Sequence, residues 1–126
     1  MRFKNFAIAA AAVTGVVFSV GAAQAAGDAA NGEGIFKKKC AVCHAVEEGK
    51  NKVGPSLHGV VGRQAGTVDG FRYSSAMQSH DVVWDAETLD PYLEDPRGVV
   101  KGTRMAFPGL KDAGERADVI AYLVTL

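Results

Sequence analysis

The sequence predicts an all-α domain of short helices separated by long loops. Three observations carry this. The most regular stretch comes last, where Val119, Ile120 and Leu123 recur at helical spacing behind Asp112 and Glu115, a pair that resembles a capping box. No stretch alternates apolar and polar residues at strand period over a useful length, and there is no repeat or low-complexity tract. Residues 45–70 are rich in glycine and charge without either period. So long a loop in a small domain is expected only where it has a function, such as wrapping a bound group.

The chain opens on a segment that reads as a targeting signal and is set apart from the fold. Arg2 and Lys4 form a positive n-region, Phe6 to Val20 an apolar, alanine-rich run, and Ala23-Gln24-Ala25 a small-x-small site. Cleavage is therefore expected after Ala25, with the folded domain at residues 26–126. The alternative is an uncleaved membrane anchor, but the run is shorter and richer in Ala and Gly than the ~20 predominantly apolar residues of a spanning helix. Cleavage leaves 101 of the 126 residues, a single small domain of the size that often relies on a staple or a cofactor. Without Arg2 and Lys4 the domain has 12 basic and 14 acidic side chains, a formal charge of −2, which argues against nucleic-acid binding.

Asp28 can cap a first helix, with Phe36 as its core residue and Ile35 beside it. Gly32 and Gly34 lie inside that helix, each costing about 1 kcal/mol against alanine. Close approach of another backbone is expected there, with the last helix as the neighbour. The helix leads into Cys40-Ala41-Val42-Cys43-His44. Two thiols one helical turn apart can each add to a vinyl group on one edge of a porphyrin, and the next histidine then falls under the iron. This is the attachment signature of a c-type haem.

Three other chemistries use a Cys-x-x-Cys pair. A thioredoxin-like dithiol belongs near a βαβ pattern, which is absent. A zinc site would have only His58 and His80 to add to His44, at no zinc-type spacing. A disulfide across so short a loop gives little entropic benefit. The expectation is one haem c per chain, attached covalently through Cys40 and Cys43. As a large flat apolar body it would complete the core.

Beyond the long loop, a short helix is expected over 75–79. Asp85 can cap another, with Leu89, Tyr92 and Leu93 at i, i+3 and i+4. Pro91 is awkward in it. Either the helix bends there, or it begins with Asp90 as cap and Pro91 as first residue. Pro96 should end the element, and Gly102-Thr103-Arg104-Met105-Ala106-Phe107-Pro108-Gly109 reads as a second loop before the last helix. An iron held by His44 has a sixth position for water, a second histidine or a methionine. Met77 and Met105 are the only methionines after the targeting segment. Met105 sits in the second loop, which can carry it across the opposite face, although a lone methionine usually just fills core space.

Along its whole mature length the chain resembles the class I c-type cytochromes, in their bacterial periplasmic, cytochrome c2-like and mitochondrial-like branch. The matching stretches are Gly32 with Phe36, Cys-Ala-Val-Cys-His at 40–44, Gly-Pro-Ser-Leu-His-Gly at 54–59, Gly62-Arg63 and Gly70-Phe71-Arg72-Tyr73. Trp84, Tyr92-Leu93, Gly102-Thr103-Arg104-Met105 and Ile120-Ala121-Tyr122-Leu123 complete the series in family order. The resemblance implies the class I cytochrome c fold, in which the N- and C-terminal helices cross and the rest wraps one covalently bound haem. It implies His44 as proximal and Met105 as distal iron ligand, with the Pro55 carbonyl accepting from the second ring N–H of His44.

Arg63, Tyr73 and Trp84 match positions whose donors face the buried haem propionates, which need donors or positive charge. Tyr92 and Thr103 match residues that hydrogen-bond near the methionine sulfur and the adjoining propionate. Phe107 matches the aromatic over the haem edge, and Gly32 and Tyr122 match the helix crossing. His58 falls on the proximal side of the ring, so it and His80 are expected as surface or hydrogen-bonded histidines. Two departures stand out. Met77 replaces an asparagine common in relatives, and Lys101 replaces a proline that often precedes the Gly-Thr.

With both axial positions filled, the expected protein is no enzyme. It is a periplasmic, monomeric carrier of single electrons, because methionine sulfur and burial both favour the reduced iron. Its expected partners are redox proteins, such as a bc1-type complex and a terminal oxidase or reaction centre, with peripheral contact to membrane complexes only. Lys38, Lys52, Arg97, Arg104 and Lys111 match a docking face around the haem edge, where a local patch outweighs distant charge at a Debye length of about 8 Å.

Overall fold

Asp28 starts the first helix: its carboxylate accepts the N–H groups of Ala30 and Asn31 at 2.9 and 3.1 Å, and α1 runs over Ala29–Lys39. The computed structural model describes residues 27–126, and the targeting segment with its cleavage site after Ala25 lies outside the described residues. Four helices follow: α2 (Ser75–Gln78), α3 (Ala86–Glu94), α4 (Pro96–Val99) and α5 (Ala113–Leu123). Among the described residues there is no strand, only an isolated antiparallel bridge between Gln64 and Val83. No helix among them is long and apolar enough to cross a membrane.

The capping chemistry differs from expectation in two places. The reciprocal box belongs to α3, where Asp85 accepts the Thr88 N–H and the Thr88 hydroxyl accepts the Asp85 N–H, both at 2.9 Å. At α5 only half of the expected box forms. Asp112 accepts the Glu115 N–H at 2.9 Å, while the Glu115 carboxylate lies 3.8 Å from Lys39 Nζ on α1. Helix α3 also begins five residues earlier than the Asp90/Pro91 alternative and carries Pro91 in its interior. The backbone bond that Pro91 forfeits is the one to Glu87, and both residues are exposed, where water replaces it. Pro96 does stop α3, but it also opens α4 as its first residue, with Asp95 accepting the Gly98 N–H at 3.1 Å.

Helices α1 and α5 cross at Gly32, where any Cβ would overlap the backbone carbonyl of Asp118. Phe36 and Tyr122 meet beside the crossing, with ring centroids 5.2 Å apart. Gly34 does not share this role: no atom lies near the place its Cβ would occupy. Two residues further along, a helical side chain points about 200° round the axis, here into solvent. The Asp118 carboxylate locks the crossing by accepting the Asp28 N–H at 2.7 Å and the Asn31 amide at 2.6 Å.

These two donors, the Asn31 amide first, hold the Asp118 carboxyl below its ordinary value of 3.8. The folded-state pKa is thus lower than the unfolded one. The stabilisation is complete above about pH 4 and is lost as pH falls through the folded value. Thermal melts from pH 5 down to pH 2 should show Asp118→Asn flattening the acid limb of the stability curve.

The long 45–70 loop is held by side chains rather than by secondary structure. Ser56 donates to the Glu47 carbonyl at 2.6 Å, and Asn51 accepts the Ser56 N–H at 3.0 Å while donating to the Asp69 carbonyl at 3.1 Å. Backbone bonds from Trp84 to Arg63 and from Ala65 to Val82 then fasten the loop to the segment before α3. Phe36, Trp84, Leu89, Tyr92, Leu93, Val119 and Ile120 form one core, against which Cys40, Met105 and Phe107 pack from the loops and Met77 from α2.

Candidate functional site

The end of α1 places the cysteine pair. Cys40 caps the helix, and the chain turns so that Cys43 and His44 donate their N–H groups to the Cys40 carbonyl at 3.1 and 3.0 Å. Both thiols are free and partly buried. Burial pushes the Cys40 thiol up to about 11, so it is protonated at neutral pH. The His44 Nδ1 lies 2.8 Å from the carbonyl of Pro55. A carbonyl can only accept, so Nδ1 carries the proton and the Nε2 lone pair is left for a metal. Burial is the main cause holding the His44 pKa below its ordinary value, with Arg63 and Lys52 adding to it against the Pro55 bond. The imidazole is therefore neutral, the form that ligates metals. Gly54 is required beside it, because a Cβ there would strike the His44 ring.

The second loop brings Met105 to α3. The Tyr92 hydroxyl donates to the Met105 sulfur at 3.1 Å, and the Thr103 hydroxyl accepts the Met105 N–H at 3.2 Å. Burial pushes the Tyr92 phenol up to about 12, with the Thr103 hydroxyl acting the other way. Tyr92 is thus a fixed neutral donor. Its ring lies 4.8 Å from that of Trp84, which in turn has His80 at 5.6 Å. Phe107 is partly buried on the same core.

Arg63 is half-buried, and its two terminal nitrogens donate to the carbonyls of His58 and Ser56 at 3.0 and 3.1 Å. A guanidinium has five N–H donors, so three remain. The Tyr73 hydroxyl accepts the Val68 N–H at 3.1 Å and keeps its own proton to give. The structure thus joins Tyr92, Thr103 and Met105 into one cluster, Trp84 with Tyr92 and the Arg63 backbone into a second, and His44 with Pro55 into a third. His58 is exposed, and Met77 sits on α2, capped by Ser74 and packed against the core.

A neutral imidazole with a free lone pair, a thioether held by a phenol, two free thiols and a glycine cradle form a donor set that fits a haem c. The comparisons decide the family. The model of the cytochrome c family matches residues 29–126. The chain belongs to the cytochrome c family. It is 52% identical over 99 residues to a cytochrome c of Nigella damascena, covering 78% of this chain and 89% of that one. It is 50% identical over 98 residues to cytochrome c 2.1 of Caenorhabditis elegans, covering 78% and 88%. A cytochrome c-type cyt cy of Rhodobacter capsulatus is 54% identical over 100 residues, 79% of this chain but only 50% of the relative.

A cytochrome c holds haem c covalently, and Cys40 and Cys43 are the two cysteines the chain has for it. The bound haem supplies one-electron redox chemistry. The protein is an electron-transfer cytochrome of the all-α class I fold and not an enzyme. Two residues important to the geometry escaped sequence reasoning. Asn51 pins the long loop with no motif to announce it, and Arg116 is a buried cation on the last helix. Its place among Val119, Ile120 and Leu123 on one helix was the available signal.

Proposed function

We propose that this cytochrome is a soluble, monomeric periplasmic shuttle in which His44 and Met105 are the two axial ligands of the iron. The pairing that supports this reading is a histidine committed through Nδ1 to Pro55 and a methionine sulfur held by Tyr92 at 3.1 Å. In this reading Arg63, Tyr73 and Trp84 give their remaining donors to the haem propionates, and Phe107 covers the haem edge. The chain's own part is to exclude water, hold both ligands through a change of oxidation state, and so leave little to rearrange. The mature protein is residues 26–126 after cleavage behind Ala25. Visible spectra of periplasmic protein test this. Sharp c-type reduced bands with the weak ferric charge-transfer band of a methionine sulfur are expected; c-type bands without the sulfur band would reject Met105 as the ligand.

Docking is proposed through Lys38, Lys52, Arg97, Arg104 and Lys111, all of them exposed. The Nζ atoms of Lys52 and Lys111 lie 2.7 Å from the carbonyls of Ala41 and Glu94, which fixes where their charge sits. The partners are acidic faces of a bc1-type complex and of a terminal oxidase or reaction centre, bound weakly and released quickly. Association rates measured by stopped flow should fall steeply with salt, and Lys52→Glu should slow association several-fold. Rates indifferent to both would argue against this face.

A further inference from the structure

Arg116 is the one charged side chain buried among the described residues, at 6% exposure, and the function proposed above makes no use of it. From α5 its Nε donates to the Asp90 carboxylate on α3 at 2.8 Å. One terminal nitrogen donates to the carbonyls of Leu110 and Lys111 at 2.9 and 3.1 Å, and the other lies 3.9 Å from the Glu94 carboxylate. A single guanidinium therefore joins α5, α3 and the exit of the loop that carries Met105. The exit is pinned to the end of α3 by other contacts too. The Leu110 N–H donates to the Leu93 carbonyl at 2.7 Å, and Gly109 passes so near the Glu94 carbonyl that a Cβ would overlap it.

The loop between Val100 and Leu110 contains no helix. Its entrance is fixed by Val100, which is 2% exposed and accepts the Thr103 N–H at 3.0 Å. Its middle is held by the bond from Tyr92 to the Met105 sulfur. Tyr92, Asp90 and Glu94 stand on the same helix, so the sulfur and the loop's exit share one frame of reference. The fork spreads its donors over separate nitrogens to reach two carbonyls and a carboxylate on different elements, a span that the single nitrogen of a lysine does not match.

We infer that Arg116 is a positioning residue for the Met105 sulfur: it clamps the exit of the loop to α3 and so keeps the sulfur in register with the iron's sixth position. The inference rests on Met105 being the sixth ligand. Without the guanidinium, the Leu110 and Lys111 carbonyls lose their donor, and the loop opens more often while the rest of the fold stays closed.

Imidazole can bind ferric iron only while Met105 is displaced, so its apparent affinity scales with the open fraction. The test titrates imidazole into ferric holoprotein, following loss of the sulfur charge-transfer band, with denaturant unfolding measured in parallel. R116Q should bind imidazole at least about tenfold more tightly than wild type, and R116K and D90N should shift the same way by a smaller factor. Asp90 is half-exposed and D90N retains the arginine, so this variant carries the comparison even where R116Q does not mature. D118N, which weakens the α1–α5 crossing away from the loop, should lower the unfolding midpoint while its imidazole affinity stays within about twofold of wild type. Unchanged affinity in all three loop-clamp variants would overturn the inference, as would an equal rise in D118N. A wild-type protein with no sulfur band would overturn Met105 ligation and this inference together; a band with unchanged affinities would overturn this inference alone.

Discussion

Met105→Ala should lower the reduction potential by on the order of 0.2 V, a fraction of the about 0.8 V that axial ligands command. A thioether stabilises ferrous iron over ferric, and water in its place does so far less. Besides the potential, the ferric sulfur band should vanish, and the ferrous protein should bind carbon monoxide tightly where wild type does so weakly. Tyr92→Phe provides the graded comparison. It keeps the sulfur and removes only the donor 3.1 Å from it, so the band should persist with a potential shift several times smaller. Redox titration with optical detection reads both. Were Met105→Ala to keep the band and the potential, another side chain would hold the sixth position and the proposed ligand set would be wrong.

Gly32→Val should cost about 3 kcal/mol or more of unfolding free energy, at the upper end of overpacking effects and a large share of the 5–15 kcal/mol that holds a domain together. The added Cβ would meet the carbonyl oxygen and carbon of Asp118 and the nitrogen of Val119, which are backbone atoms that cannot swing aside. Helices α1 and α5 would have to separate, and the Phe36–Tyr122 contact and both Asp118 bonds would stretch with them. Gly34→Ala, two residues along the same helix, should have the opposite sign. Its Cβ would stand in open space, so only the helix-propensity gain of up to about 1 kcal/mol remains. Denaturant unfolding of the two holoproteins would decide; a gain at both positions would mean that propensity and not the crossing governs α1.

Much of this molecule could be read from the order of its residues because the governing chemistry is local. The Cys40-Ala41-Val42-Cys43-His44 spacing states its own purpose, and Asp28, Asp85 and Asp112 mark three helix starts because a cap acts within three residues. Phe36, Leu89, Tyr92, Val119 and Ile120 lie in the core, as helical periodicity placed them. Where two local rules competed, the sequence left the choice open. At Pro91 the proline could equally start a helix or interrupt one, and the Asp85–Thr88 box together with the burial of Leu89, Tyr92 and Leu93 favoured a helix passing through it.

Contacts between distant segments carry no such signature. Helical spacing does not say that Gly32 meets Asp118 while Gly34 meets nothing; only the resemblance set Gly32 apart, since the difference arises when a second helix crosses at one rotation angle. The partners of Asn51 lie up to 18 residues away, and those of Arg116 up to 26. Helical spacing puts Arg116 on the apolar face of α5, but what it binds there shows only once its carbonyls and carboxylate are brought around it. The order of residues was therefore enough for the cofactor, three of the helix caps and the core face. The resemblance had placed Tyr92 near the methionine sulfur, but the fold had to be formed before Arg116 could be seen on the loop that carries Met105, because those energies exist only between groups that chain closure brings together.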